Sequence, residues 1–274
     1  MEGIVLPELE TKLLLQGVTQ ALGSCRVYVL GYRTTTEVHR LLPVPTATCV
    51  GVHYYVMVLT VGTPKNPAAH VVNCIKMVSG GRVTATVLLH AVTDLGTRQP
   101  SQACFYTGVL RYGQRIDGSG LPAPYVLYDV PRDVAADERY WYKCEAVAQF
   151  YLQAVADSVH EAVGLCKIAL LHEAVVQVAL GLLRMMMGYA PREYGLRFLL
   201  ELCGYFSDLP REVFGSSIGA KRYNMLCAPP NGLYYKTRLY VAEEDFEALL
   251  ACSNLFLEQA RVLVLEGIET NKKK

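Results

Sequence analysis

Hydrophobic and polar positions along this chain change their period near its middle. From Pro7 to about Leu22 the apolar residues Leu13, Leu14, Val18 and Leu22 recur at helical spacing, and Gly23 supplies a natural stop. "CRVYVLGYR", residues 25–33, alternates Val27 and Val29 with polar neighbours, as a half-buried strand does. "GVHYYVMVLTVG", residues 51–62, is a near-continuous apolar run and predicts a second, more deeply buried strand. Between them "TTTEVHRLLPVPTATC" carries too many Pro and Thr residues to predict an element. After "GTPKNP" the segment Ala68 to Val78 reads as a helix closed by Gly80 and Gly81. "RVTATVLLH" then sets Val83, Ala85, Val87 and Leu89 on one face of a third strand, and "SQACFYTGVLRYG" predicts one more helix. The order helix, strand, strand, helix, strand is an α/β arrangement with a short mixed sheet.

Gly, Ser and Pro concentrate in "DGSGLPAPYVLYDVPRD", residues 117–133, which reads as a boundary. Beyond Val134 the period is helical: about 134–160, 163–188, 192–205 and 242–266, with a less regular stretch before the last. Phe246, Leu249, Leu250, Ser253, Leu257 and Ala260 keep one face of the final helix largely apolar. An antiparallel helical bundle is the simplest packing for such a half. The strongest membrane-spanning candidate lies between Lys167 and Arg184, but it includes His172, Glu173 and Gln177 and falls short of the roughly 20 apolar residues a span needs. A buried soluble helix is the expectation there.

Composition narrows the class without naming an activity. Apolar residues make up 52% and charged ones 19% of the 274 residues, which places the chain among folded globular proteins of two ordinary domains. A net charge of +1 provides no general field for a phosphate backbone or an anionic membrane. The nine cysteines stand singly, with no CxxC pair and no zinc-knuckle spacing, and read as reduced core residues. "MEGIVLPELETK" has acids where a signal peptide needs a basic region, so the expected location is cytoplasmic, with no membrane partner.

The second half carries "HEA" at 172–174, "GYAP" at 188–191, then Leu196, Leu199, Leu200 and Cys203, with "YYKTRLYVAEEDFEALL" downstream at 234–250. Taken together these resemble the signature of HEPN domains over about residues 134–266. HEPN domains often follow a small nucleotidyltransferase domain, and the first half resembles that partner more distantly. Its Gly-Ser motif would fall at Gly31 and Tyr32, and its acidic strand at His53 and Tyr55. Two carboxylates at such positions bridge a divalent metal to a triphosphate, and Gly-Ser lets backbone amides approach phosphate. His53 and Tyr55 cannot replace two anions on magnesium, a hard cation that prefers oxygen ligands. Ribonuclease members of the HEPN family pair an Arg with a His four to six residues on; none follows residue 134, where Tyr194, Tyr234 and Tyr235 occupy the expected neighbourhoods. Arg33 and His39 have that spacing, but in the other domain and in a Thr-rich stretch, and read as coincidence.

The expected fold class is therefore α+β. It has a small mixed-sheet nucleotidyltransferase-like α/β domain at 1–117, a linker at 118–133, an all-α antiparallel HEPN-like bundle at 134–266 and a tail at 267–274. The resemblance implies a nucleotide or RNA ligand, homodimerisation through the HEPN-like half, and a regulatory role of the defence or toxin-antitoxin kind. Missing metal carboxylates and the missing Arg-His pair favour binding over catalysis, with no cofactor. The rival expectation is an active HEPN ribonuclease or a magnesium-dependent nucleotidyltransferase, for which Asp94 and Asp117 are the acids at hand.

His172, Glu173, Gln177 and Arg184 form a polar stripe on an otherwise apolar helix, to be satisfied by neighbouring helices, by a second subunit or by a ligand. The 18 tyrosines, clustered at 54–55, 140–142 and 234–235, are able to stack on bases but more often line cores and interfaces. "RMMMGY" reads as packing around a buried helix end and "NKKK" as a solvated tail. There is no GxSxG elbow and no GxGxxG after a strand.

Overall fold

The computed structural model describes residues 6–37, 49–63, 67–97, 99–117, 130–158, 164–215, 218–230 and 241–272. They form a mixed α+β protein of two compact units, Met1–Pro131 and Arg132–Lys274.

In the first unit the elements run α1 (Glu8–Leu22), β1 (Arg26–Glu37), β2 (Cys49–Thr60), α2 (Ala68–Val78), β3 (Val83–Ala91), a 3-10 turn (Val92–Gly96), α3 (Pro100–Tyr112) and β4 (Gln114–Arg115). The expected helices and strands are present in the expected order. Gly23, at φ 70°, ends α1 with its N–H on the Thr19 carbonyl, and Gly80 and Gly81, at φ 60° and 84°, turn the chain out of α2. β1 runs four residues past Arg33, so the Thr-rich stretch that predicted no element begins as strand.

The sheet order is β3-β2-β1-β4. β1 is antiparallel to both β2 and β4, while β2 and β3 are parallel, a pairing that requires the α2 crossover. One sheet face packs on α1 and α2 through Val27, Val29, Tyr54, Val56, Val58, Val83, Ala85 and Val87, against Leu14, Val18, Val71 and Ile75. α1 approaches α2 closely because Gly17 lies against the Ile75 backbone. The opposite face of β3 is covered as well, with Thr86, Leu88 and His90 buried. His90 there meets the Tyr106 hydroxyl of α3 at 3.3 Å.

A bulge between Val29 and Gly31 reverses the parity of β1. Before it, Val27 and Val29 face α1 and α2. After it Tyr32 takes that side, against Tyr54, while Gly31 and Arg33 pass to the other face opposite Tyr55 and His53.

The second unit contains α4 (Val134–Ala156), α5 (Gly164–Met187), α6 (Leu196–Cys203), α7 (Leu209–Phe214), α8 (Gly219–Leu226) and α9 (Glu243–Lys272). The Asp133 carboxylate caps α4 by accepting from the Ala136 N–H at 2.9 Å. α5 is the centre, packing on α4, α6, α8 and α9. Gly181 admits the Trp141 ring of α4. The described residues of the irregular stretch before the last helix include the short α7 and α8.

Two expectations are corrected here. α9 continues through residues assigned to a tail, because Ile268 extends the buried stripe of Ala260 and Val264. Arg132, assigned to a linker, is bonded into the second unit. By length and composition alone, Gly164–Met187 and Glu243–Glu269 would each cross a membrane; 67% of the first window and 33% of the second are buried within the protein.

Candidate functional site

In the first unit three of the expected nucleotidyltransferase positions, Gly31, His53 and Tyr55, share the sheet face away from α1 and α2, while Tyr32 lies on the opposite face against Tyr54. His53 and Tyr55 are two residues apart on β2 and meet edge to face at 5.0 Å. The His53 ring spans two hydroxyls of the neighbouring strand, Nδ1 at 2.8 Å from Thr84 Oγ1 and Nε2 at 2.9 Å from Thr86 Oγ1. Burial, reinforced by the Arg33 charge across the pair, lowers its pKa to about 4, so the imidazole is neutral at pH 7. Gly31 and Tyr32 lie inside a continuous ladder, Gly31 opposite Tyr55, and not at a strand-to-helix turn where amides would be free for phosphate.

This face thus offers a guanidinium, two hydroxyls and a neutral imidazole where the resemblance put metal carboxylates. Asp94 and Asp117 do not join them. Asp94 Oδ2 accepts from the Ala91 N–H at 2.9 Å at the end of β3, and Asp117 holds the Val27 N–H at 2.9 Å and Arg115 at 2.9 Å. Among the described residues no three His, Cys, Asp or Glu side chains converge as a metal site would require.

Gly31 also lines a cavity of about 790 Å³ at the β1 edge, together with Thr11 and Lys12 of α1, Val29, Tyr112 and Arg115. Its volume suits a nucleotide-sized molecule. Lys12 pairs with Glu8 at 2.6 Å and is 70% exposed, and the Tyr112 side chain is 69% exposed. Sequence reading found neither cation, because nothing in the local pattern places the start of α1 beside the residues after α3.

In the second unit the polar stripe is largely satisfied internally. His172 is buried and its Nδ1–H donates to the Leu226 carbonyl at 2.8 Å, which settles the tautomer. Arg184 Nε donates to Asp137 Oδ1 at 2.5 Å, and Arg132 Nε to Asp137 Oδ2 at 2.8 Å. Glu173 and Gln177 are half-buried. The physical case for a subunit partner to satisfy this stripe therefore falls away at His172 and Arg184. Tyr194 is 59% exposed and lies near Tyr140, whose phenol burial pushes up to about 12, with Cys144 and Tyr194 adding and the Arg184 charge opposing. Tyr234, Tyr235 and His39 lie outside the described residues. Asp137, which organises this cluster, looks in the sequence like any surface acid in a first helical turn.

Cys25, Cys74, Cys104, Cys144, Cys166, Cys203, Cys227 and Cys252 are free thiols, and burial raises those of Cys25, Cys144, Cys203 and Cys227 above their usual pKa.

No protein-family model matches the chain, and no curated protein matches it.

Proposed function

We propose that the protein is a non-catalytic nucleotide- or RNA-binding regulator, a nucleotidyltransferase-like unit without its metal acids joined to an HEPN-like helical unit. The carrying observation is the cavity of about 790 Å³ in which an exposed tyrosine, Tyr112, stands with Lys12, Arg115 and Thr11. An aromatic face suits a base, and Arg115, with Lys12 exchanging its exposed partner Glu8 of the same cavity, suits phosphate oxygens. On the adjoining sheet face His53, held neutral between Thr84 and Thr86, supplies hydrogen bonding without the negative charge that would clamp magnesium. Such a unit grips a phosphate-bearing molecule and leaves its phosphoryl groups in place.

A panel of ATP, GTP and short RNA, each with and without magnesium, tests this by calorimetry and by product analysis. The expected result is saturable binding that needs no magnesium, with the ligand recovered unchanged. K12A and Y112A each weaken it about tenfold, the scale of one charge-assisted bond or one stacked base. Magnesium-dependent transfer of labelled nucleotide, or cleavage of the RNA, would overturn the reading in favour of an enzyme. No binding by any member of the panel would leave an interaction protein in its place.

A further inference from the structure

α2 buries Ala68, Val71 and Ile75 in the core of the first unit. Along one flank of the same helix stand His70, Cys74 and Met77, at the spacing i, i+4, i+7. His70 is exposed, Cys74 is half-buried at the margin of the core, and Met77 is 79% exposed. That makes Met77 the most exposed large apolar side chain among the described residues, so packing does not account for it. His70 Nε2 lies 3.7 Å from Cys74 Sγ.

Residues three and four apart on a helix are neighbours, with Cβ atoms about 5–6 Å apart, and their side chains lean back towards the N-terminus. Cys74 accordingly meets His70 one turn before it. Met77 stands one turn beyond Cys74, and its three rotatable bonds let the sulfur swing onto the pair. An ion bonded at about 2.3 Å to sulfur and about 2.05 Å to nitrogen, at an angle between tetrahedral and trigonal, holds its two donors about 3.6–3.8 Å apart. The Cys74–His70 pair already stands at that bite, at 3.7 Å. Thiolate, thioether and imidazole are soft donors, and α2 contains no acid that would favour a hard cation. A thioether in the set points to Cu(I).

We propose that His70, Cys74 and Met77 form a three-coordinate surface site for one Cu(I) ion. As the sulfur–copper bond forms, the Cys74 thiol gives its proton to solvent. Copper stays Cu(I) throughout, so no electron donor or acceptor takes part. None of the three residues lines the cavity at Lys12, and the site does not depend on nucleotide binding there.

The test uses the full chain, reduced and kept free of oxygen, with Cu(I) supplied as its coloured bicinchoninate complex. The wild type is expected to take one Cu(I) per chain from the chelator. C166S, which removes an exposed thiol elsewhere, is expected to keep that uptake, and C74S to lose it. H70A and M77L are each expected to weaken binding about tenfold or more, since losing a direct ligand costs at least as much as losing an outer partner. Alkylation mapped by mass spectrometry reads the site directly: Cu(I) is expected to shield Cys74 from iodoacetamide and to leave Cys166 labelled. No uptake against the chelator, full uptake in C74S, unchanged affinity in H70A or M77L, or shielding of Cys166 in place of Cys74 would overturn the proposal. Should C74S not fold, the alkylation of the wild type decides, because equal labelling of Cys74 with and without Cu(I) overturns it as well.

Discussion

Arg184 Nε donates to Asp137 Oδ1 at 2.5 Å, tying the last turn of α5 to the first turn of α4 through a carboxylate that has no solvent exposure. Arg132 completes the triad at the other oxygen and donates to the Arg184 carbonyl, which also accepts from the Gly188 N–H, and to the Met185 carbonyl at the end of the helix. One acid thus organises two cations and one helix terminus. D137N would remove the counter-charge of both guanidinium groups and one of their two acceptor oxygens, and the expected loss is about 3–5 kcal/mol in urea unfolding. The double variant D137N/R184M should recover part of that loss, and strict additivity of the two changes would refute the coupling.

Two glycines set interhelical distances. A Cβ at Gly17 would lie 2.6 Å from Ile75 Cα, a backbone atom that cannot swing aside, and one at Gly181 would lie 2.7 Å from the Trp141 ring. G17A and G181A are each expected to destabilise by about 1–3 kcal/mol despite the helix propensity gained. G108A, in α3 with nothing within 4 Å of the added atom, is expected to stabilise by up to about 1 kcal/mol. Denaturant midpoints of the three variants check the order.

His53 makes stability depend on pH in a stated direction. Burial and the Arg33 charge hold its folded pKa at about 4, below the ordinary 6.5. Above pH 6.5 the ring is neutral in both states and its contribution is complete. Between these values only the unfolded chain takes the proton, so stability falls as pH drops and levels off below about 4. The drop is on the order of 2 kcal/mol once partial solvent access is discounted. H53Q should flatten this limb when unfolding is measured across the range; an unchanged slope would assign it to other groups.

His172 and its neighbours separate a structural role from a surface one. H172F leaves the buried Leu226 carbonyl without its donor and should cost about 1–3 kcal/mol, whereas E173A and Q177A, on half-buried positions, should stay within about 0.5 kcal/mol. Equal effects at all three would mean that the stripe is held as a unit by something outside this chain. The oligomeric state of E173A and Q177A, followed by light scattering, would then identify a second copy.

Periodicity along the chain was enough to set the elements and to separate a mixed α/β half from a helical one. Leu14 with Val18, Val27 with Val29, and the run Ala68 to Val78 repeat at periods that follow from backbone geometry alone, and Gly23, Gly80 and Gly81 mark ends that only a residue without Cβ adopts freely. The sequence also showed, without any fold, that His53 and Tyr55 are not acids. Only the tertiary structure decided what those positions do. The bulge after Val29 sends Arg33 to the His53 face and Tyr32 into the core, a change of parity that alternation along one strand cannot reveal. Packing of the chain also put Lys12 and Arg115 on the lining of one cavity, and it buried Asp137 between Arg132 and Arg184. Arg26 has, among the described residues, two buried donors without a hydrogen-bond partner, decided in the same way. Periodicity reports which side of its own element a residue takes, whereas charge pairing depends on which elements meet, and that is decided only when the whole chain packs.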